Sequence, residues 1–209
     1  MGTDRTENGS VLAGKTVVVT RPIEQLESLA APLRDHGARV VSFPTIAIEP
    51  VDAPDRFDAL DAYDWLVFAS ANGVRYFCEL LERRGDRLDQ HGIVRIAAVG
   101  AATAAAIEAA GGRVDLVPHT YTAAGLLDAF DDQLDRFRGQ RFLIPRGDLS
   151  KDTLTRGLRE READVEEVTV YHTVCPDVAP ETVQALVDAA PDVVVFSSPS
   201  TVRNFVTIV

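Results

Sequence analysis

An α/β protein of two similar domains, each a parallel sheet flanked by helices, is the fold class predicted by this 209-residue sequence. Three observations support that expectation. Residues 64–77, DWLVFASANGVRYF, return near the end of the chain as residues 192–205, DVVVFSSPSTVRNF. Aligned without a gap, Val67-Phe68 matches Val195-Phe196, Ser70 matches Ser198, Val74-Arg75 matches Val202-Arg203 and Phe77 matches Phe205. Each copy passes from an apolar run of strand length, through a turn of small polar residues, into a helical pattern. The repeat also reaches further: FLIPRG at 142–147 resembles VVVTRP at 17–22, and ADVEEVTVY at 163–171 resembles ARVVSFPTI at 38–46.

The elements follow in order. Residues 1–10, MGTDRTENGS, are polar and acidic and read as a frayed tail. Residues 15–20, KTVVVT, form a buried strand closed by Arg21-Pro22. Leu26, Leu29, Ala30 and Leu33 recur at helical spacing, with Gly37 as the C-cap. Val40, Val41 and Phe43 make the next strand, and residues 44–54, bracketed by prolines, are an extended crossing between domains. Residues 55–63 are a short helix leading into the first central copy. Residues 93–99 are a strand, Gly100–Thr103 turns into an alanine-rich helix ending at Gly111-Gly112, and residues 114–117 are a strand again. Residues 122–130 are a helix with Thr122 as N-cap. FLIP at 142–145 is a strand, Arg146-Gly147-Asp148 a turn, 154–161 a helix and 165–173 extended. By analogy with 93–118, a further strand–turn–helix–strand block is absent from the second copy, so the first domain is expected to lack its C-terminal part.

Composition narrows the function. No apolar run approaches the ~20 residues that span a bilayer, and a soluble cytoplasmic protein is expected. The formal charge is −11, which argues against nucleic acid and anionic membranes as partners. Cys78 and Cys175 stand far apart in no metal-spaced or redox pattern and read as incidental thiols. His36, His91, His119 and His172 lie in no HExxH-like motif, and neither a phosphate loop nor GxGxxG occurs. No metal and no cofactor is expected.

What remains is a set of turns at the carboxyl ends of strands. Ser70-Ala71-Asn72-Gly73, Gly100–Thr103 and Ser198-Pro199-Ser200-Thr201 combine hydroxyls or an amide with small residues at helix starts. Such turns cap helices whether or not anything binds there. Helix starts at strand ends also attract anions, so a carboxylate- or phosphate-binding cleft is the functional alternative. The two copies would turn Ser70, Thr103 and Ser198 toward one shared cleft. A cleft for an anion in an acidic chain must be locally positive, and Arg21 and Arg146, at equivalent strand ends, are the candidates. Arg75 and Arg203 fall inside helices and read as surface residues. Tyr171 ends the alternating stretch VTVYHT; it is either an ordinary strand aromatic or a phenol able to hydrogen-bond inside the cleft.

These residues together resemble the uroporphyrinogen-III synthase family of tetrapyrrole biosynthesis. The resemblance lies in VVVTRP (17–22), VFASANGV (67–74), AAVGAAT (97–103), PRG (145–147), VTVYHTV (168–174) and VVFSSPSTV (194–202), and runs from about residue 15 to the last. It implies two flavodoxin-like domains joined by a two-stranded β linker. Domain 1 would be residues 1–45 plus 175–209, the linker strands 46–54 and 167–174, and domain 2 residues 55–166. It implies a monomeric lyase that cyclises hydroxymethylbilane to uroporphyrinogen III, with loss of water and inversion of the last pyrrole ring. Tyr171 matches the family's tyrosine that assists loss of the leaving hydroxyl; Ser70, Asn72, Thr103, Ser198 and Ser200, with Arg21 and Arg146, would bind substrate. It also allows a transient contact with the preceding pathway enzyme. Ala69 departs from the family, where a threonine is frequent, and the family's final Gly-Pro-x-Thr-like turn is missing. A two-domain anionic-ligand-binding protein without catalysis is the alternative. A nucleotide-sugar enzyme would want a Gly-rich phosphate loop that this chain lacks.

Overall fold

The computed structural model describes residues 10–51, 57, 59–91 and 94–209. In chain order the first half contains β1 (Thr16–Val19), α1 (Glu27–Asp35), β2 (Arg39–Ser42), β3 (Ala47–Pro50), β4 (Trp65–Phe68), α2 (Ala71–Arg83), β5 (Arg95–Ala98) and α3 (Ala101–Ala109). The second half contains α4 (Ala123–Gln133), β6 (Arg141–Gly147), α5 (Thr153–Glu160), β7 (Asp164–Val174), α6 (Pro180–Asp188), β8 (Val193–Val195) and α7 (Pro199–Ile208). The chain divides into two compact units, Met1–Ile48 with Thr173–Val209, and Glu49–His172. Among the described residues no helix is long and apolar enough to cross a membrane.

The first unit carries a three-stranded sheet in the order β2-β1-β8, all parallel, with Val18 paired to Val41 on one side and Val194 on the other. All four residues of β1 are buried, as a strand covered on both faces requires. Gly37, at φ +84°, ends α1 in the left-handed conformation that glycine adopts without a Cβ clash. Val18, Phe43 and Leu186 form its buried core, with Phe205 edge-on to Phe43 at 5.8 Å. On its outer side β8 has no further neighbour among the described residues, and Val193, Val202 and Val206 are exposed.

The five-stranded sheet runs β3-β7-β6-β4-β5, and the ladders between β7 and β6, β6 and β4, and β4 and β5 are parallel. Its core is aromatic. Trp65 lies edge-on to Phe130 at 4.9 Å, Phe130 edge-on to Phe142 at 5.4 Å, and the Arg95 guanidinium sits 4.3 Å above the Trp65 ring.

The internal repeat holds down to single hydrogen bonds. Asp64 opens the first copy and accepts the Arg141 N–H with its carboxylate at 2.8 Å; Asp192 opens the second and accepts the Thr16 N–H, also at 2.8 Å. Each acidic residue thereby satisfies the first donor of the neighbouring strand. Lys15 also pairs with Asp192 at 2.8 Å.

Several expectations are corrected. Residues 114–117 do not form a strand; only a single bridge joins Leu116 to Ala97. The Asp115 carboxylate takes the Ile96 N–H at 2.9 Å, which occupies the donor a ladder would use. Of the helix expected over 55–63, a 3-10 turn at Leu60–Ala62 is present, while 52–56 and 58 lie outside the described residues, as do the tail at 1–9 and Ile93. Arg146 and Gly147 belong to β6 rather than to a turn, and a bulge between them shifts the register with β7.

A charged clasp ties three short segments of the second unit together. His91 Nδ1 lies 3.1 Å from Asp61 and Nε2 2.7 Å from Asp86, while neighbouring Arg87 pairs with Asp89. Burial opposes the imidazolium, but the hydrogen bonds it donates to the Asp86 and Asp61 carboxylates outweigh it and raise the His91 pKa; the Asp86 carboxyl, against its own burial, is lowered by His91. A raised folded pKa means stability that is full below the unfolded value of about 6.5 and lost as pH rises through the folded value. His91→Gln should therefore melt below the wild type at pH 6, with the difference shrinking toward pH 9. A pH-independent difference in thermal melts would mean the ring acts only by packing.

Candidate anion-binding cleft

The second unit places part of the expected site at the carboxyl end of its sheet. β4 ends at Phe68, and Ser70 caps α2 by accepting the Gly73 N–H at 3.1 Å. Gly73 lets the helix start approach β6 closely: a Cβ there would come 3.2 Å from the Pro145 carbonyl oxygen, a tight contact. Next to Ser70, β6 brings Pro145 and Arg146, the following turn brings Ser150, and β7 brings Tyr171. These residues, with Lys151 and Thr153, line one cleft of about 260 Å³ whose other walls are Ala69, Val99, Ala123 and Leu154.

The hydrogen-bond arithmetic of this cleft is one-sided. Ser70 and Ser150 accept N–H bonds, the latter from Gly147 at 3.2 Å, so their O–H groups are left to donate. Tyr171 packs its ring 5.3 Å from that of Tyr76 and directly against the Gly147 backbone, where no side chain intervenes. Its hydroxyl and that of Thr153 make no hydrogen bond within the described protein. A cleft that presents hydroxyl donors and cations, with no carboxylate in its lining, suits an anionic or hydroxylated ligand.

Arg146 is placed differently from the expectation. Its mostly buried guanidinium is already bound to the Glu167 carboxylate, to the Ser150 carbonyl and, at 2.9 Å, to Asp152. Burial would lower its pKa, but Glu167 and Asp152 raise it, so it stays charged and neutralised in place. Thr155 adds a 2.7 Å bond to the same Glu167. Thr103 is buried in the first turn of α3, and Asn72 sits on α2; neither belongs to the lining of this cleft.

In the first unit Ser198 caps α7 through a capping box with Thr201, and its Oγ lies 2.9 Å from that of Ser200. Arg21 leaves β1 with its Nε buried and, among the described residues, unbonded, and it makes a long contact of 3.4 Å with Ser28. The two equivalent arginines are thus unlike: Arg146 is committed, Arg21 is not. Arg75, as expected of a surface residue, pairs with Glu79 at 3.0 Å along its own helix. Burial, helped by Glu82 and Glu79, pushes the Cys78 thiol up to about 11, which makes it a poor nucleophile.

Sequence reasoning missed Lys151, Ser150 and Thr153. The signal was present as Ser-Lys-Asp-Thr before a helical pattern, the same polar turn chemistry as at Ser70.

Residues 27–209 match the family model described as Uroporphyrinogen-III synthase HemD. A uroporphyrinogen-III synthase from Synechococcus elongatus is 34% identical over 200 residues, covering 93% of this chain and 74% of that protein. Another, from Chlorobaculum parvum, is 33% identical over 197 residues, covering 91% and 78%. In fold, the chain is similar to a uroporphyrinogen-III synthetase from Helicobacter pylori, with TM-score 0.65 and 15% identity over 93% of this chain and 78% of that one. A mutant uroporphyrinogen III synthase from Thermus thermophilus gives TM-score 0.61 at 22% identity, covering 93% and 77%.

Proposed function

The chain belongs to the uroporphyrinogen-III synthase family of tetrapyrrole biosynthesis, and on that premise we propose that it is a lyase whose cleft at Ser70, Ser150 and Tyr171 holds the reacting end of hydroxymethylbilane. The observation that carries this reading is the Tyr171 hydroxyl, without a partner among the described residues, in a cleft whose other walls are apolar side chains, the O–H donors of Ser70 and Ser150, and the cations Arg146 and Lys151. At about 260 Å³ the cleft suits one pyrrole with an acid arm rather than the whole octacarboxylate.

The chemistry follows from what these groups can do. The terminal pyrrole nitrogen pushes its electron pair toward the hydroxymethyl carbon, the C–O bond breaks, and the hydroxyl leaves as water after taking a proton. Tyr171 is the donor placed to hydrogen-bond that departing oxygen. The azafulvene left behind is attacked by the substituted carbon of the last ring. The resulting spiro species reopens and closes with that ring inverted, and loss of a ring proton restores the balance. Ser70 and Ser150 hold acid arms so that this closure outruns the spontaneous one. The test is to supply freshly made hydroxymethylbilane and separate the type I and type III products. Type III product well above the spontaneous yield is expected; only the type I product would overturn the reading, and tight binding without turnover would leave a binding protein.

We also read the two units as copies of one design, since β2-β1-β8 and β7-β6-β4 repeat one strand order. In this reading the open side of β8 takes a further strand–turn–helix block. The exposed Val193, Val202 and Val206 support it, as does the length of the relatives, of which the chain spans 74–78%. A chain carrying such a block should melt at least several degrees higher, because each added kcal/mol raises the midpoint of a domain this size by about 2–4 °C. An unchanged midpoint would count against it.

A further inference from the structure

We propose that Lys151, rather than Arg146, is the residue of this cleft that anchors a carboxylate arm of the substrate. The inference rests on the reading of the cleft given above and adds to it the group that recognises the acid.

Charge bookkeeping at the cleft leads to this residue. Its lining contains two cations, Arg146 and Lys151. The Arg146 guanidinium faces Glu167 and Asp152, and its side chain is only 13% exposed, so a substrate carboxylate would have to displace two carboxylates to reach it. Displacement would also strand Glu167, which Arg159 at 3.6 Å and Thr155 would then hold alone. Arg146 is therefore a strut between β6, β7 and the start of α5.

Lys151 is in the opposite situation. It is exposed, and it makes no hydrogen bond or ion pair within the described protein. Lysine is rare in this chain: of 21 Lys and Arg residues only Lys15 and Lys151 are lysines, and Lys15 is spent on Asp192. The acidic groups nearest in sequence are also engaged, Asp152 with Arg146 and Asp148 with His172 at 3.3 Å. Asp152 spends its carboxylate on Arg146 and makes no cap bond to α5, although it is the N-cap residue. The first N–H groups of α5 beside Thr153 thus join the ammonium as donors. An ammonium on a flexible four-carbon stem at the mouth of a mostly apolar cleft can follow a propionate or acetate arm while the pyrrole lies against Tyr171 and Leu154.

The test uses the full chain and uroporphyrin III, the oxidised octacarboxylate product, as the probe. Binding is followed by porphyrin fluorescence, with KM for hydroxymethylbilane measured alongside. Lys151→Gln should weaken probe binding and raise KM about tenfold at low ionic strength, the size of one charge-assisted hydrogen bond, with kcat falling far less. The gap should close in molar salt, where screening reaches ~3 Å, and Lys151→Arg should restore affinity. Arg146→Gln should instead lower the melting temperature. If the wild type binds the probe and Lys151→Gln binds it equally at low salt, the role given to Lys151 is wrong. If the wild type neither binds it nor forms type III product, the reading of the cleft fails and Lys151 fails with it.

Discussion

Tyr171→Phe is expected to cut formation of the type III product by about 10²–10⁴-fold, the range for removing a general acid, while leaving the protein folded. The two halves of this expectation have separate physical grounds. The phenol oxygen makes no bond within the described protein, so its removal strands no buried partner, and the ring contacts with Tyr76 and the Gly147 backbone survive in Phe. What is lost is the donor proposed to assist the departing hydroxyl. Circular dichroism melts paired with single-turnover assays separate the halves: full activity in a folded variant removes Tyr171 from the chemistry.

Gly147→Ala should inactivate by moving the same ring. A Cβ on Gly147 would lie 2.3 Å from Cε2 and 2.4 Å from Cζ of Tyr171, far inside van der Waals contact. Gly147, although beside the bulge, has no positive φ, so alanine fits the main chain and the ring must yield. Turnover should fall roughly as far as in Tyr171→Phe, about 10²-fold or more. The double variant should be little worse than either single one, because both remove one phenol from one place. Additive losses would show that Gly147 acts apart from Tyr171, and a large drop in melting temperature with unchanged activity per folded molecule would make the contact purely structural.

Much of the architecture is readable from short stretches. The apolar runs around Val18, Val67, Leu143 and Val194 are strands, and Ser70, Thr122 and Ser198 each cap the helix that follows, as their sequence pattern implies. Residues 114–117 were misread because an apolar alternation looks like a strand whether or not a neighbour takes its hydrogen bonds. The Ile96 N–H that such a strand would accept goes to the Asp115 carboxylate instead.

The sequence by itself determined the repeat, the α/β class and the family, since strand and helix periods and capping pairs are set by residues within a few positions of one another. Only the tertiary structure decided which residues at the strand ends line a cleft. Arg21 and Arg146 look equivalent along the chain, yet parallel pairing of β6 with β7 sets Ile144 against Glu167 and brings a carboxylate to Arg146. Thr103 and Ser70 look alike as helix-start hydroxyls, yet one is buried and the other lines a cleft. Whether a charge is free or spent depends partly on partners such as Glu167, 21 residues from Arg146, and no local pattern in the sequence records that pairing.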